Sequence, residues 1–291
     1  MMTYILYNPL AGTGKGREES EKLLATVEGE AVLQDMTALE DYQTFFASIG
    51  AEDRVILCGG DGTLNRFVND TAELTVPCEL LYYAVGTGND FLKDIEKNVG
   101  NAPFPVAQYL QDLPTVEVNG KVSHYLNGIG FGVDGYCCEV GDQLKEKAPD
   151  KPVNYTAIAI KGLLFHYKPA NAIITVDGES FSYKKVWIAA TMKGRYYGGG
   201  MMTAPEQDRF AEDGKVTLVV MYGSGKLKTL MVFPSIFKGE HVKHTDMVAV
   251  HTGKEITVTF DRPCALQIDG ETVLNVTSYK VSAGKKVAVT A

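Results

Sequence analysis

The sequence predicts an α/β domain with a parallel sheet over residues 1–115, followed by an antiparallel β-sandwich domain over residues 116–279. Three observations predict it. Up to residue 115 short apolar runs alternate with helical patterns, the signature of a βα repeat whose strands lie parallel. After Pro114 the texture changes to β-branched runs separated by NG, DG, GSG and TGK turns, the pattern of an antiparallel sheet. The 291 residues are 45% hydrophobic with 30 Gly and 11 Pro, an ordinary globular composition with enough chain for two cores that need neither disulfides nor a structural zinc.

In chain order, the first part reads as strand 3–8 (TYILYN), helix near 17–28, strand 31–34, helix near 38–49, strand 54–58 (RVILC), helix near 62–73, strand 80–85 (LLYYAV) and helix near 90–97. A ligand of such a sheet sits beyond the carboxyl ends of its strands. The site is therefore expected in the loops after Asn8, Cys58 and Val85, which read NPLAGTGKG, CGGDGT and VGTGND. In the second part TVEVNGKVSHYLNGIG, AIITVDGESFSYKKVWIAA, GKVTLVVMYGSG, DMVAVHTGKEITVTF and ALQIDGETVLNV read as strands and turns, with helices near 153–165 and 226–237. The tail within 280–291 is a candidate strand returning to complete the first domain.

Composition also excludes classes of function. A net charge of −8 leaves no basic footprint for nucleic acid. The five cysteines, Cys58, Cys78, Cys137, Cys138 and Cys264, are odd in number and lack CxxC spacing, which points to a reducing cytoplasm. MMTYILYNPLAG has no positive n-region and is not a signal peptide. The apolar stretch 154–176 is broken by Lys161, His166 and Lys168, so no membrane span is expected and any membrane contact is made from the surface, at the inner face.

In Gly59-Gly60-Asp61-Gly62-Thr63, glycines on both sides of one Asp separate a buried strand from a helix. Glycine permits close approach of a ligand, so amides at the helix N-terminus can cradle phosphate oxygens; the alternative is a tight turn whose Asp caps the helix. Gly86-Thr87-Gly88-Asn89-Asp90 repeats the chemistry after the next strand, and Asp61 and Asp90 converge if the two strands are neighbours. Carboxylates beside a polyphosphate imply a hard cation between them, Mg²⁺ above all. The loop from Asn8-Pro9 to Gly16 fails both the Walker A and GxGxxG spacings and reads equally as a phosphate loop or a plain turn.

GGDGTLN (59–65), VGTGNDF (85–91), the strand ending in Asn8-Pro9 and a late DGE (269–271) together resemble the diacylglycerol kinase catalytic domain family, specifically the bacterial soluble lipid kinases. GGDG is shared with NAD kinases; GTGNDF separates the two. The resemblance implies an α/β nucleotide domain and a C-terminal β-sandwich domain, with the site between them. It places ATP on Asn8, Gly60, Asp61, Gly62, Thr63, Leu64, Asn65 and Thr87, with Asp61 and Asp90 arranging Mg²⁺ and the phosphates. It makes Glu271 the proton acceptor and gives Asp213, with the carbonyls of Phe210 and Lys215, a second, structural Mg²⁺. Arg66 stands where the family usually has Glu, and the family's ribose-contacting Thr has only Thr37 as a counterpart. The activity implied is transfer of the γ-phosphate of ATP to diacylglycerol or a related lipid alcohol at a membrane surface. An NAD kinase, or a catalytically silent lipid- or nucleotide-binding protein, is the alternative, and a homodimer is left open.

Two segments bear on the lipid. KLKTLMVFPSIFK (226–238) sets apolar residues between lysines and reads either as a membrane-surface segment or as a helix packed on the sandwich. Residues 226–254 hold five Lys against Glu240 and Asp246, a local +3 in an acidic chain that favours an anionic lipid surface. The cluster 194–202, GRYYGGGMM, is a candidate lining for an acyl chain or headgroup.

Overall fold

The computed structural model describes residues 1–85, 89–148, 151 and 153–284. The chain divides into two units, Met1–Gln111 and Asp112–Ala291.

In the first unit, β1 (Met2–Tyr7), α1 (Ala11–Gly14), α2 (Gly16–Leu24), β2 (Glu30–Asp35), α3 (Tyr42–Ala47), β3 (Arg54–Gly59), α4 (Asp61–Asp70), β4 (Glu79–Ala84), α5 (Asp90–Asp94) and β5 (Phe104–Pro105) follow one another. The sheet order is β2-β1-β3-β4-β5, with the first four strands parallel and β5 antiparallel to β4. The α/β reading therefore holds. The chain leaves β1 toward β2 on one side and returns to β3 on the other. That reversal is a topological switch point, where the loops after β1 and β3 diverge and leave a crevice. Ile5, Tyr7, Ile56, Cys58 and Leu23 form the core on the α2 face. Tyr42, Phe46 and Phe67 meet edge-on on another helix-facing patch.

The second unit contains β6 (Thr115–Val118), β7 (Lys121–His124), β8 (Gly128–Gly132), α6 (Val133–Lys147), α7 (Tyr155–Lys161) with a π-helical turn Gly162–His166, and β9 (Ala170–Val176). It continues through β10 (Glu179–Val186), β11 (Ile188–Met192), β12 (Tyr196–Tyr197), β13 (Met201–Met202), β14 (Val216–Met221), α8 (Lys226–Val232), β15 (Val248–Gly253), β16 (Glu255–Ile268) and β17 (Glu271–Ser282). Every pairing here is antiparallel, as expected. The corner is β16. Its first half pairs β9 and its last residues pair β8, and its ladder with β17 is irregular between Thr259 and Leu266. The sheet thereby folds over a core drawn from both halves, including Val116, Ile129, Ile174, Leu218 and Val258. β14 is buried on both faces because its alternate residues, Val219 and Met221, face a second core that holds Leu163, Val232, Phe233 and Ile236 of the helical segments.

Helix α6 is absent from the sequence expectation, which places helices only near 153–165 and 226–237. Its interior carries Gly135 and Gly141, which weaken a helical reading. Their reason is packing: a Cβ on Gly135 would lie 2.0 Å from the Ala265 carbonyl oxygen, and one on Gly141 would lie 2.6 Å from the Tyr155 ring. The tail is corrected in part. Residues 280–282 end β17 against β6 and β16 of the second unit, and 285–291 lie outside the described residues.

Candidate active site

In the first unit the three predicted loops follow strands that are neighbours in the sheet, and side chains of one loop hold the next. Asn8 accepts from the Leu10 amide at 3.0 Å, and its carbonyl accepts from the Ala11 amide. Its Nδ2 donates to Thr63 Oγ1 at 3.3 Å, tying the loop after β1 to the first turn of α4. Thr63 is 4% exposed and lies beneath Gly59, where a Cβ would stand 2.3 Å from its hydroxyl. Gly16 is a glycine for the same kind of reason, since a Cβ there would meet the Asn8 carbonyl at 1.9 Å.

Asp61 opens α4, where its charge meets the positive end of the helix dipole. Its Oδ2 accepts from the backbone amides of Asp90 at 2.8 Å and Phe91 at 3.2 Å. Because β3 and β4 are adjacent, Asp61 meets Asp90, and it does so through a carboxylate-to-amide tie. A second tie runs beside it: Tyr82 Oη donates to the Gly59 carbonyl at 2.9 Å and accepts from Asn89 Nδ2 at 2.8 Å. Asn89 Oδ1 then caps α5 through the Leu92 amide. Sequence reading passed over Tyr82 and Asn89, whose roles depend on the register of β4 against β3.

The remaining nucleotide candidates differ in what they present. Gly62 has open space where a Cβ would stand, and Gly60 is nearly as open, so a bulky anion can approach the backbone there. Leu64 is fully buried and its amide bonds to the Gly60 carbonyl, so it supports the turn from within the core. Asn65 accepts from Asn69 Nδ2 within α4. Thr87, with Gly86 and Gly88, lies outside the described residues. Among the described residues no group of three or more His, Cys, Asp or Glu side chains stands close enough to cage a metal. A Mg²⁺ beside Asp61 and Asp90 would therefore take its other ligands from phosphate and water, the usual way Mg²⁺ is held with a nucleotide.

In the second unit Asp269 and Gly270 are the two residues of a turn joining β16 to β17, with φ of 46° and 92°. The Asp269 side chain turns inward and accepts from three consecutive amides, Asn127 at 2.8 Å, Gly128 at 2.9 Å, and Leu126. Arg209, 4% exposed, braces the same strap by donating to the Leu126 carbonyl at 2.7 Å and Asn127 Oδ1 at 2.9 Å. Glu271 starts β17 opposite Ile268 and is exposed, so its carboxylate is reachable by a substrate.

Asp213 is exposed. Its carboxylate accepts from the Lys215 amide at 3.2 Å and lies 3.0 Å from the Lys215 ammonium, which holds its pKa below the ordinary carboxylate range. The Lys215 carbonyl accepts from Gln207 Nε2 at 3.1 Å. An ion on Asp213 with the carbonyls of Phe210 and Lys215, as expected from the sequence, would have to displace that ammonium from the carboxylate. In the 194–202 cluster, Tyr196–Tyr197 pairs with Met201–Met202 across three glycines of positive φ. Tyr197 and Met201 belong to the core on the helical side, which leaves them as packing groups.

The diacylglycerol kinase catalytic domain model matches residues 2–116, and the YegS C-terminal NAD kinase beta sandwich-like domain model matches residues 127–287. A diacylglycerol kinase of Mycobacterium tuberculosis strain H37Rv is 27% identical over 267 residues, 87% of this chain and 83% of its own length. One of Bacillus subtilis strain 168 is 24% identical over 279 residues, 92% of this chain and 88% of its own. A crystal structure of a diacylglycerol kinase from Bacillus anthracis strain Sterne shares the fold with a TM-score of 0.58 at 19% identity, covering 97% of this chain and 94% of that one. The two domain models follow one another and between them span almost the whole chain: it carries a diacylglycerol kinase catalytic domain followed by a YegS C-terminal NAD kinase beta sandwich-like domain, and belongs to the family that the second of these defines.

Proposed function

We propose that the protein is an ATP-dependent lipid kinase that transfers the γ-phosphate to the hydroxyl of diacylglycerol or a related lipid alcohol. The observation that supports this reading is the glycine loop at the end of β3, whose Asp61 holds the start of α5 beside open backbone at Gly62. Family membership implies ATP as the donor. In this reading the backbone at Gly60 and Gly62 receives phosphate oxygens, Asn8 and Thr63 fix the floor of the loop, and Asn65 and Thr87 border the nucleotide. Asp61 and Asp90 are the residues that would hold Mg²⁺, whose chemistry is to neutralise charge on the transferring phosphoryl group. A second, structural ion would rest on Asp213 with the Phe210 and Lys215 carbonyls.

Glu271 is the proposed proton acceptor. The alcohol oxygen forms its bond to the γ-phosphorus, the bond from that phosphorus to the bridging oxygen breaks, ADP leaves, and the alcohol proton passes to the Glu271 carboxylate. Glu271→Gln keeps shape and polarity and removes the basic oxygen. It is expected to lower kcat by roughly 10² to 10⁴ while ATP affinity changes little. Radiolabelled ATP, incubated separately with dispersed diacylglycerol and with NAD, tests the acceptor class. Label in the lipid is expected; label in NAD alone, or in neither, overturns the reading.

A further inference from the structure

Glu271 is exposed at the first position of β17, where the last pair of the ladder sets it opposite Ile268 and the chain before it is the two-residue turn. The place of its carboxylate is therefore inherited from that turn. The turn is clipped to the strap 126–128 by backbone as well as by side chain, since the Asp269 amide donates to the Gly128 carbonyl at 3.0 Å. The Gly270 amide donates to Gln267 Oε1 at 2.8 Å, and Gln267 is buried. On the other side of Glu271, Thr272 Oγ1 donates to Asp142 Oδ2 of α6 at 2.6 Å. Glu271 thus sits between two ties, and the one through the turn is only as fixed as the strap.

Opposite charges hold the strap. Its three amides point to the Asp269 carboxylate, while the Leu126 carbonyl and Asn127 Oδ1 take the two terminal guanidinium nitrogens of Arg209. The Asn127 carbonyl accepts from the amides of Lys193 at 2.9 Å and Gly194 at 3.2 Å. Arg209 comes from no helix or strand. It stands in the segment between β13 and β14, which closes on itself: Gln207 Nε2 donates to the Asp208 and Lys215 carbonyls, and Asp208 Oδ1 accepts from the Phe210 amide. Burial pushes the Asp269 carboxyl up, and the three amides and Arg209 draw it back, so loss of the guanidinium loosens both grips on the strap. Burying a charge costs desolvation that an apolar side chain of the same shape avoids, and the best-attested use of such groups is to fix one arrangement over its neighbours. A side chain buried for packing alone has no need of two forked donors placed on acceptors of adjacent residues.

We propose that Arg209 is a positioning residue for Glu271: by gripping residues 126 and 127 it fixes the strap to which the Asp269–Gly270 turn is clipped, and so sets where the carboxylate stands. The proposal rests on the reading of Glu271 as proton acceptor, a role in which a displacement of about 1 Å costs roughly 10²-fold in rate. Arg209→Lys keeps the charge on a single ammonium that cannot serve both acceptors as the fork does, and Arg209→Met keeps the length and removes both donors. In the full-length Lys variant, hydrogen exchange at the Asp269 and Gly270 amides is expected to quicken about tenfold or more, with β14 unaffected. The kcat for lipid phosphorylation is expected to fall about tenfold in the Lys variant and about a hundredfold in the Met variant, with the Kd for ATP within about twofold of wild type. The Lys variant carries the test if the Met variant does not fold. In a Glu271→Gln background Arg209→Lys is expected to cost nothing further, because a residue that acts through another has no effect once that other is disabled. Equal losses in the two backgrounds overturn the proposal, and so does unchanged exchange at Asp269 and Gly270. A lower melting temperature with wild-type kcat in the folded Lys variant also overturns it, since a purely structural arginine behaves that way. The two readings fail separately. Quickened exchange in the variant of a chain whose wild type phosphorylates no lipid defeats the kinase alone, and wild-type kcat in the folded Lys variant defeats the positioning role alone.

Discussion

Replacing Asp269 with Ala removes the acceptor of three consecutive backbone amides, and the structure gives the size of the effect. The strap 126–128 is closed to water: Leu126 is fully buried and Asn127 is 3% exposed. Three amides left without an acceptor there cannot all be rehydrated. Hydrogen bonds to a charged group contribute roughly 1.5–3 kcal/mol each, and partial relaxation with Arg209 still holding the Leu126 carbonyl reduces the sum to about 4 kcal/mol. Asp269→Asn keeps the shape and an acceptor for Asn127 and Gly128 but sets an N–H against the Leu126 N–H, so about 2 kcal/mol is expected. The assay is built into the chain. Its one tryptophan, Trp187, is 2% exposed beside β11 and donates to the Ser224 carbonyl, so its fluorescence reports the second unit alone. Urea unfolding followed at Trp187 should show the Ala variant losing about 4 kcal/mol, and its melting temperature should fall by roughly 10 °C for a unit of this size. A midpoint within about 0.5 kcal/mol of wild type would refute the reasoning, since an exposed turn carboxylate behaves that way.

Three further outcomes follow from the same geometry. Asp61→Asn retains an acceptor for the Asp90 and Phe91 amides and should abolish turnover while their hydrogen exchange stays slow; Asp61→Ala should speed exchange at both amides, and equal exchange in the two variants would show that the tie is unimportant. Gly62→Ala meets no neighbouring atom and should fold normally while losing ATP affinity, whereas Gly59→Ala drives a Cβ into Thr63 and should lower stability first; isothermal titration and thermal melts of both would expose a reversal. Burial pushes the His241 imidazole down to about 4 from an ordinary 6.5, so the unfolded chain binds the proton first as the pH falls, and stability present above pH 6.5 is lost progressively toward pH 4. That contribution is roughly 3 kcal/mol, and His241→Gln, which can still donate to the Thr203 carbonyl, should flatten the acid limb of a urea-midpoint profile by about that amount.

Much of the fold was legible because periodicity is a local signal. The alternation through residue 115 and the turns beyond it require no knowledge of tertiary structure, and the structure contains both sheets. Helix α6 was illegible because its evidence is tertiary: Gly135 and Gly141 look like helix breakers until Ala265 and Tyr155 press against them. The role of Asp269 was hidden for a related reason. An extended DGE would alternate faces, but positive φ at Asp269 and Gly270 makes a turn that swings the carboxylate inward. At the site, the loops were legible as glycine-rich sequences after strands, and Asp61 as a carboxylate among them. What Asp61 touches was not, because it follows from β3 lying beside β4 in register.

That register explains why one motif holds residues of such different kinds. The chain after the neighbouring strands β1, β3 and β4 is held by side chains of adjacent elements: Asn8 by Thr63, Gly59 by Tyr82, and the Asp90 and Phe91 amides by Asp61. The glycines divide accordingly. Gly16 and Gly59 are required by neighbours within the protein, a carbonyl in one case and a threonine side chain in the other, while Gly62 faces open space. A glycine that only turns the chain also faces open space, but at positive φ, as Gly29 and Gly120 do, whereas Gly62 is open without a positive φ. An open glycine in the first turn of α4, on a framework fixed by interlocking side chains, leaves the backbone at the helix N-terminus open to approach in a set geometry. A polyphosphate needs such a surface, because its oxygens are bound most tightly by donors that do not have to be ordered when it arrives.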